Sequence, residues 1–395
     1  MRVLHVGKYF APFAGGIENF MLDLLRACDA EGVVQACLVH QAPGQERLDE
    51  ETDEQNFEFL ERFRRVPTLG QISYAPVSPG FNRAMERMLA EFRPDVLHLH
   101  LPNTSAFWAL KSRRARAIPW VVHWHSDVVG PGLDAKLKLL YPFYRPFEQA
   151  LLKRCERIIV TSPPYLESSR ALEPWREKCR VIPLGLDPVR LKAHSRAGAP
   201  DWRHSGKLKV LAVGRLSRYK GFDVLMRAAA RSSDVEVMIA GEGQERRRLE
   251  RLLEKQSGGA CGDDVGARIR LVGAVDDAGR NRLLAGCDVF CLPSINRGEA
   301  FGLSLLEAMA AGKPAIATRV SGSGMGWVVR DQETGWLVEP GDVDGLAALL
   351  RRLASDRAAL ERAGSRARAR FDAEFGIDAV AREVVAVYRG LVSSL

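Results

Sequence analysis

The stretch VFCLPSINRGEAFGLSLLEAMAAGKPAIAT, Val289 to Thr318, carries a strand, a loop, a helix and a second strand in succession. Val289 to Leu292 is a short apolar run of strand type closed by Pro293, and Ala315 to Thr318 is another. Between them Gly302 marks where a helix can begin, and Gly312 with Pro314 stops it. A strand that returns through a helix to a further strand is the repeating unit of a parallel sheet. Glu299 then lies before the helix and Glu307 within it. Free amides around Phe301 to Ser304 would face a phosphate from the helix N-terminus, and a carboxylate on the helix can accept both hydroxyls of a ribose. Spacing alone also fits two glutamates flanking an ordinary helix.

The same alternation extends outward in both directions. Short β-branched runs at 3–6, 33–39, 96–100, 120–125, 157–161 and 180–183 are followed by 209–213, 236–240 and 269–272, with amphipathic helical patterns between them. The expectation is α/β: two doubly wound parallel-sheet domains, each Rossmann-like. Pro188, Gly198, Pro200 and Gly206 cluster among polar residues before a fresh strand, which places the division in 185–206. The expected domains are 1–186 and 187–375, with a terminal helix at 376–395 packing back on the first.

Composition narrows the class. A chain of 395 residues suits two domains of ordinary size, and 46% hydrophobic with 27% charged residues is globular. No apolar run approaches the roughly 20 residues that span a bilayer. The first residues enter a strand pattern with no secretory signal, so a cytoplasmic location is expected. Seven scattered cysteines, Cys28, Cys37, Cys155, Cys179, Cys261, Cys287 and Cys291, lack zinc-site spacing and read as reduced thiols. The net charge of +8 suits an anionic partner, and no nucleic-acid-binding signature organises it.

Ligands bind outside the carboxyl ends of strands in open parallel sheets, so the loops there hold the candidates. Gly15 and Gly16 allow close backbone approach at the start of a helix, equally a tight turn or an anion site. His98 with His100 and His123 with His125 form two His-x-His patterns at strand ends. They read as polar anchors rather than metal ligands, with His125 the member that could hydrogen-bond a ligand. Arg215 and Lys220 can converge on one anion, an arginine fork and a point charge suited to a diphosphate, or form a solvated basic loop.

Taken in order, Ala14-Gly-Gly-Ile-Glu18, His123-Trp-His-Ser-Asp127, Val181-Ile-Pro-Leu-Gly-Leu-Asp187, Val213-Gly-Arg215 with Lys220-Gly221, Ala240-Gly-Glu-Gly243 and Glu299-Ala-Phe-Gly-Leu-Ser-Leu-Leu-Glu307 resemble glycosyltransferase family 4. The resemblance covers nearly the whole chain and is strongest to bacterial O-antigen and exopolysaccharide mannosyl- and rhamnosyltransferases. It implies the GT-B architecture, two facing Rossmann-like domains with an interdomain cleft, and a retaining transfer from a nucleotide-diphosphate sugar. On that resemblance Gly15 and Gly16 approach the donor diphosphate and the acceptor, and Arg215 and Lys220 neutralise the diphosphate on leaving. Glu299 holds the sugar, Ala300, Phe301, Gly302, Leu303 and Ser304 line the donor, Glu307 takes the ribose, and His125 contacts the sugar near the reacting carbon. The catalytic set is thus His125, Glu299, Arg215 and Lys220. The segment Arg319-Val-Ser-Gly-Ser-Gly-Met-Gly326 departs from the double-glycine form common in relatives.

Family precedent suggests a front-face displacement without a cofactor or metal. Asp342-Val-Asp344 reads as a helix cap after Pro340-Gly341. The stretch 111–157 holds ten basic residues against four acidic, interleaved with Trp120, Tyr141, Phe143, Tyr144 and Phe147 and preceded by Trp108. It suits a lipid-linked saccharide acceptor at an anionic membrane surface, or a solvated basic face over an aromatic core. A nucleotide-sugar epimerase and a non-catalytic nucleotide-sugar-binding protein are the alternatives. A dinucleotide dehydrogenase is disfavoured, since the first loop lacks Gly-x-Gly-x-x-Gly.

Overall fold

The computed structural model describes the chain apart from residues 14, 45–55, 73–74, 129–134, 193–201, 258–261 and 394–395, and the side chains of 135–137, 192 and 262–264. Ala14, Gly198, Pro200 and Cys261 therefore lie outside the described residues. The chain divides into two compact units, Met1–Gly185 with Ile377–Leu395, and Leu186–Gly376.

The first unit contains β1 (Arg2–Val6), β2 (Val34–His40), β3 (Arg62–Val66), β4 (Gly70–Ile72), β5 (Ala75–Val77), β6 (Val96–Leu101), β7 (Trp120–Trp124), β8 (Arg157–Val160) and β9 (Cys179–Val181). Seven of these form one parallel sheet in the order β3-β2-β1-β6-β7-β8-β9, with β4 and β5 a separate antiparallel hairpin. The second unit contains β10 (Leu208–Val213), β11 (Val235–Ala240), β12 (Ile269–Gly273), β13 (Val289–Leu292), β14 (Ala315–Thr318) and β15 (Gly335–Val338). They make a second parallel sheet in the order β12-β11-β10-β13-β14-β15.

Every residue of β6, β7 and β11 is buried, the consequence of helices covering both faces of a parallel sheet. In each sheet the strand order reverses beside the first strand, at β1/β6 and at β10/β13. Loops leaving the carboxyl ends of those two neighbours diverge to opposite faces and open a crevice. The loop after β10 carries Arg215 and Lys220, and the loop after β13 carries Glu299. Sheet order thus brings together residues that the chain keeps far apart.

The last helix, Ile377–Val392, buries Ile377, Val380, Val384, Val385, Val387, Tyr388 and Leu391, and its Tyr388 hydroxyl hydrogen-bonds His98 Nδ1 within the first unit. Among the described residues six cysteines are free thiols, all buried except the half-buried Cys179. Burial raises them, Cys28, Cys155 and Cys287 to about 12 and Cys179 to about 11. Asp342 is the N-cap of the helix Val343–Ser355 and accepts from the Gly345 amide at 2.8 Å.

The basic and aromatic stretch 111–157 separates into two environments. Trp120 belongs to the core, its indole donating to the Ala115 carbonyl at 2.7 Å beneath the Arg154 guanidinium. The helix Ala135–Arg154 instead turns Leu139, Leu140, Phe143 and Phe147 outward, with Phe143 75% exposed, beside exposed Lys138 and Arg145. Among the described residues no helix is long and apolar enough to cross a membrane.

Candidate functional site

The turn Arg218–Lys220 ends at Gly221, whose φ of +67° lies in the left-handed region. A Cβ there would stand 2.1 Å from the Pro293 carbonyl oxygen, so only glycine lets this turn lie against the end of β13. The Ile295 amide donates to the Tyr219 carbonyl at 2.8 Å and ties the two loops. Their juxtaposition puts the Lys220 ammonium in direct ion-pair contact with Glu299 Oε2, each side chain 12% exposed. Burial draws the Lys220 pKa down, but the Glu299 carboxylate and the Tyr219 hydroxyl together raise it above the usual value, and the lysine stays charged.

Glu299 is held from behind. Ser323 Oγ donates to its carbonyl at 2.6 Å, and the Gly324 amide donates to the Ala300 carbonyl at 2.7 Å. The Phe301 ring is buried against Trp327 and Phe375, centroids 6.3 Å away in both cases, so Phe301 offers a ligand only its backbone. The segment 319–326 therefore braces the Glu299 loop.

Gly302 follows as the N-cap of the helix Leu303–Ala310, with φ +88° and no capping side chain. A Cβ there would meet Leu305 Cδ1 at 2.8 Å and Leu292 Cδ2 at 3.1 Å. The amides of Leu303 and Ser304 have no acceptor four residues back in their own helix and direct partial positive charge at the crevice. One turn on, Glu307 is buried with Oε1 3.3 Å from Arg280 Nη1. Burial raises its pKa, opposed by Arg280 and then Arg190. Arg280 also pairs with Asp277 at 2.9 Å. It stands in the helix Asp277–Gly286, and nothing in its local sequence marks it as a partner of Glu307.

Arg215 is exposed, and its guanidinium makes no ion pair among the described residues. It lies near enough to Lys220 to work against that lysine's charge. Two cations and one carboxylate leave the crevice with net positive charge, suited to an anionic ligand.

In the first unit, Gly15 is the extended N-cap of the helix Gly16–Ala30. A Cβ on Gly15 would fall 2.0 Å from Glu18 Oε2, so the glycine leaves the room that the Glu18 carboxylate fills. A negative group within the first helical turn is favourable there, which explains its seat. His125 is 4% exposed, and its Nδ1 has no hydrogen-bond partner. It belongs to a stack of buried imidazoles with His98, His100 and His123, flanked by the Phe20 ring.

Residues 15–185 match the family model described as Glycosyl transferase 4-like domain, and residues 200–370 match Glycosyl transferases group 1. O-antigen chain mannosyltransferase C of Escherichia coli is 28% identical over 396 residues, covering 100% of both chains. Phosphatidyl-myo-inositol mannosyltransferase of Mycobacterium leprae is 30% identical over 413 residues, covering 100% of this chain and 98% of that protein. Among solved structures, sucrose-phosphate synthase from Thermosynechococcus elongatus aligns with a TM-score of 0.79 at 25% identity, covering 100% of both chains.

Proposed function

This chain belongs to glycosyltransferase family 4 and has its GT-B architecture of two Rossmann-like domains, and from that premise we propose that it transfers a hexosyl group, with retention, from GDP-mannose or a related GDP or UDP sugar to a saccharide hydroxyl. The observation that carries the reading is the Lys220–Glu299 pair at the reversal of strand order in the second sheet, beside the open N-terminus of the helix Leu303–Ala310. A nucleoside-diphosphate sugar needs positive charge at its diphosphate and an acceptor for its hydroxyl hydrogens next to it. This crevice supplies both.

In the proposed reaction the bond between the anomeric carbon and the diphosphate oxygen breaks as a bond to the acceptor oxygen forms on the same face. The acceptor's proton passes to the departing phosphate. Arg215, Lys220 and the amides of Leu303 and Ser304 stabilise the charge that grows on that phosphate. Such preorganised donors are each worth about 10²–10³ in rate. Glu299 accepts from sugar hydroxyls, and Glu307 accepts from the ribose while Arg280 holds its orientation. No step calls on a metal, so turnover is expected to persist in EDTA. The reading is tested by incubating the chain with GDP-mannose and a lipid-linked saccharide and following nucleotide release and the anomeric proton of the product. Inversion of configuration, or isomerisation of the donor without acceptor, would replace it.

The acceptor's lipid carrier is proposed from the helix Ala135–Arg154, where Leu139, Phe143 and Phe147 stand exposed among basic residues. Apolar side chains set between cations suit the boundary of an anionic bilayer. Both curated relatives above are named for glycolipid or O-antigen acceptors. Co-sedimentation with anionic but not neutral liposomes checks it. Equal binding to both removes the lipid-surface reading.

A further inference from the structure

The turn that leads into β15, the end of the helix Val343–Ser355 and the first turns of the helix Arg357–Glu374 enclose a crevice of about 230 Å³ in the second unit. Its floor is Trp336, the second residue of β15. The crevice therefore lies at the amino end of that strand, whereas Arg215, Lys220 and Glu299 follow the carboxyl ends of β10 and β13. It is separate from the donor crevice.

Three arginines line it. Arg362 and Arg366 stand one turn apart on the helix Arg357–Glu374, and Arg352 comes from the last turn of the helix Val343–Ser355. All three are exposed, and none makes an ion pair or a hydrogen bond through its guanidinium among the described residues. Two carboxylates share the crevice, and each is engaged elsewhere. Glu333 Oε1 lies 3.4 Å from Arg330 Nη1, and Asp356 Oδ1 accepts from the Ala359 amide at 2.9 Å as a helix N-cap. Like charges one helical turn apart repel, so this grouping of cations is unfavourable until an anion joins it.

Trp336 supplies an independent sign of a ligand. It is 7% exposed, and its ring packs into the core of the second unit. Its indole N–H meets no acceptor among the described residues, yet it is not one of the sealed polar atoms left without a partner. A sealed N–H with no acceptor is costly, and this one opens on the crevice that its ring floors.

Guanidinium and indole groups donate hydrogen bonds and accept none. A set made only of donors selects an anion that only accepts. A carboxylate offers two oxygens and a phosphate monoester three, and four donor groups drawn from three elements match the larger number. The volume is below the roughly 300 Å³ at which sites for drug-sized molecules begin, so the crevice takes a phosphoryl group and leaves most of its carrier outside.

We propose that Arg352, Arg362, Arg366 and Trp336 form a second anion site in this unit, one that takes a phosphate monoester, with the arginines making charge-assisted hydrogen bonds and the Trp336 indole donating to a phosphate oxygen. The site does not depend on the sugar-transfer reading. A phosphorylated small molecule and a lipid headgroup can both present the phosphoryl group.

The test follows the indole resonance of Trp336 in the full chain labelled with ¹⁵N-tryptophan, assigned through Trp336→Phe, as inorganic phosphate is added at constant ionic strength. The resonance should move saturably with phosphate and stay in place with chloride. Arg362→Gln combined with Arg366→Gln should weaken the titration by about tenfold or more, the scale of a lost charge-assisted hydrogen bond. Both arginines are exposed, and unchanged resonances of the other tryptophans report that the fold is kept; if they change, Arg352→Gln alone should weaken the titration in the same direction. Arg215→Gln, in the donor crevice, should leave it as it was. A Trp336 resonance that answers chloride and phosphate alike overturns the proposal, and so does an unaltered titration in the arginine variants or one lost in Arg215→Gln. Dihexanoyl phosphatidic acid, kept below its micelle concentration, separates the sources. Tighter binding than inorganic phosphate assigns the site to a lipid headgroup, and equal or weaker binding assigns it to a free phosphate ligand.

Discussion

Lys220 and Glu299, 79 residues apart in sequence, form an ion pair in which both side chains are 12% exposed. The pair is therefore screened far less than a surface bridge. Removing one partner of a buried pair strands the other and costs about 3–5 kcal/mol, more than the pair is worth against apolar substitutes. Glu299→Ala should lower stability by about 2–4 kcal/mol, reduced from that range by the residual exposure. It should also cut transfer by about 10²-fold, the scale of one lost site interaction. Lys220→Met on that background should recover part of the stability and none of the activity. Chemical denaturation of the two single variants and the double variant measures the coupling, and additive losses would show that the pair is not coupled.

Glu307→Gln keeps the shape of the side chain but removes the charge that Arg280 faces at 3.3 Å. Binding of the donor nucleotide should weaken by about tenfold, the scale of one charge-assisted hydrogen bond. Calorimetric titration with the nucleoside diphosphate checks this. Unchanged affinity would make Glu307 a structural partner of Arg280 alone.

Gly302→Ala should be destabilising without touching any charge. An alanine at φ +88° costs about 1 kcal/mol, and the 2.8 Å approach to Leu305 adds about as much again. The helix Leu303–Ala310 would shift its first turn to relieve the contact. A melting temperature lowered by several degrees together with weaker diphosphate binding is the expected pair of results.

Stability should fall on mild acidification. His5, His40, His98, His100, His123 and His125 all have pKa values lowered by burial, His40 to about 4 and His100 to about 3. In the unfolded chain they take up protons below about 6.5, while the folded chain does not, so unfolding gains protons and is favoured as pH drops. The stabilisation is complete above that value and is lost towards each folded value. Each histidine contributes about 1 kcal/mol of loss between pH 6.5 and 5.5, and the six together amount to about 6 kcal/mol. Glu148, raised to about 7, and Glu307, also raised, act in the opposite sense but are two groups against six. Thermal melts at pH 7.5 and 5.5 should differ by on the order of 10 °C. Equal melts would mean that the imidazoles are hydrated.

How much of this was legible beforehand depended on whether the cause was local. The apolar runs at 289–292 and 315–318 coincide with β13 and β14, and Gly302 and Gly312 bracket the helix between them because capping acts within a turn. β3, the β4–β5 hairpin and β15 were not among the strand candidates. β3 reads Arg-Phe-Arg-Arg-Val, an edge strand whose arginines hide its alternation, and β15 is four residues beginning with glycine. In the charged stretch 111–157 the sequence could not tell the buried Trp120 from the exposed Phe143, since both are aromatic and only packing separates them.

By itself the sequence determined two parallel α/β units, their caps and turns, and the family, because hydrophobic period, glycine placement and ordered motifs are properties of neighbouring residues. Only the tertiary structure decided which charges meet. Lys220 reaches Glu299 because β10 lies beside β13, Arg280 reaches Glu307 across two helices, and His5 joins His100 because β1 lies beside β6. A Coulomb interaction or a hydrogen bond is fixed by distance in space, and strand order, not chain separation, sets that distance.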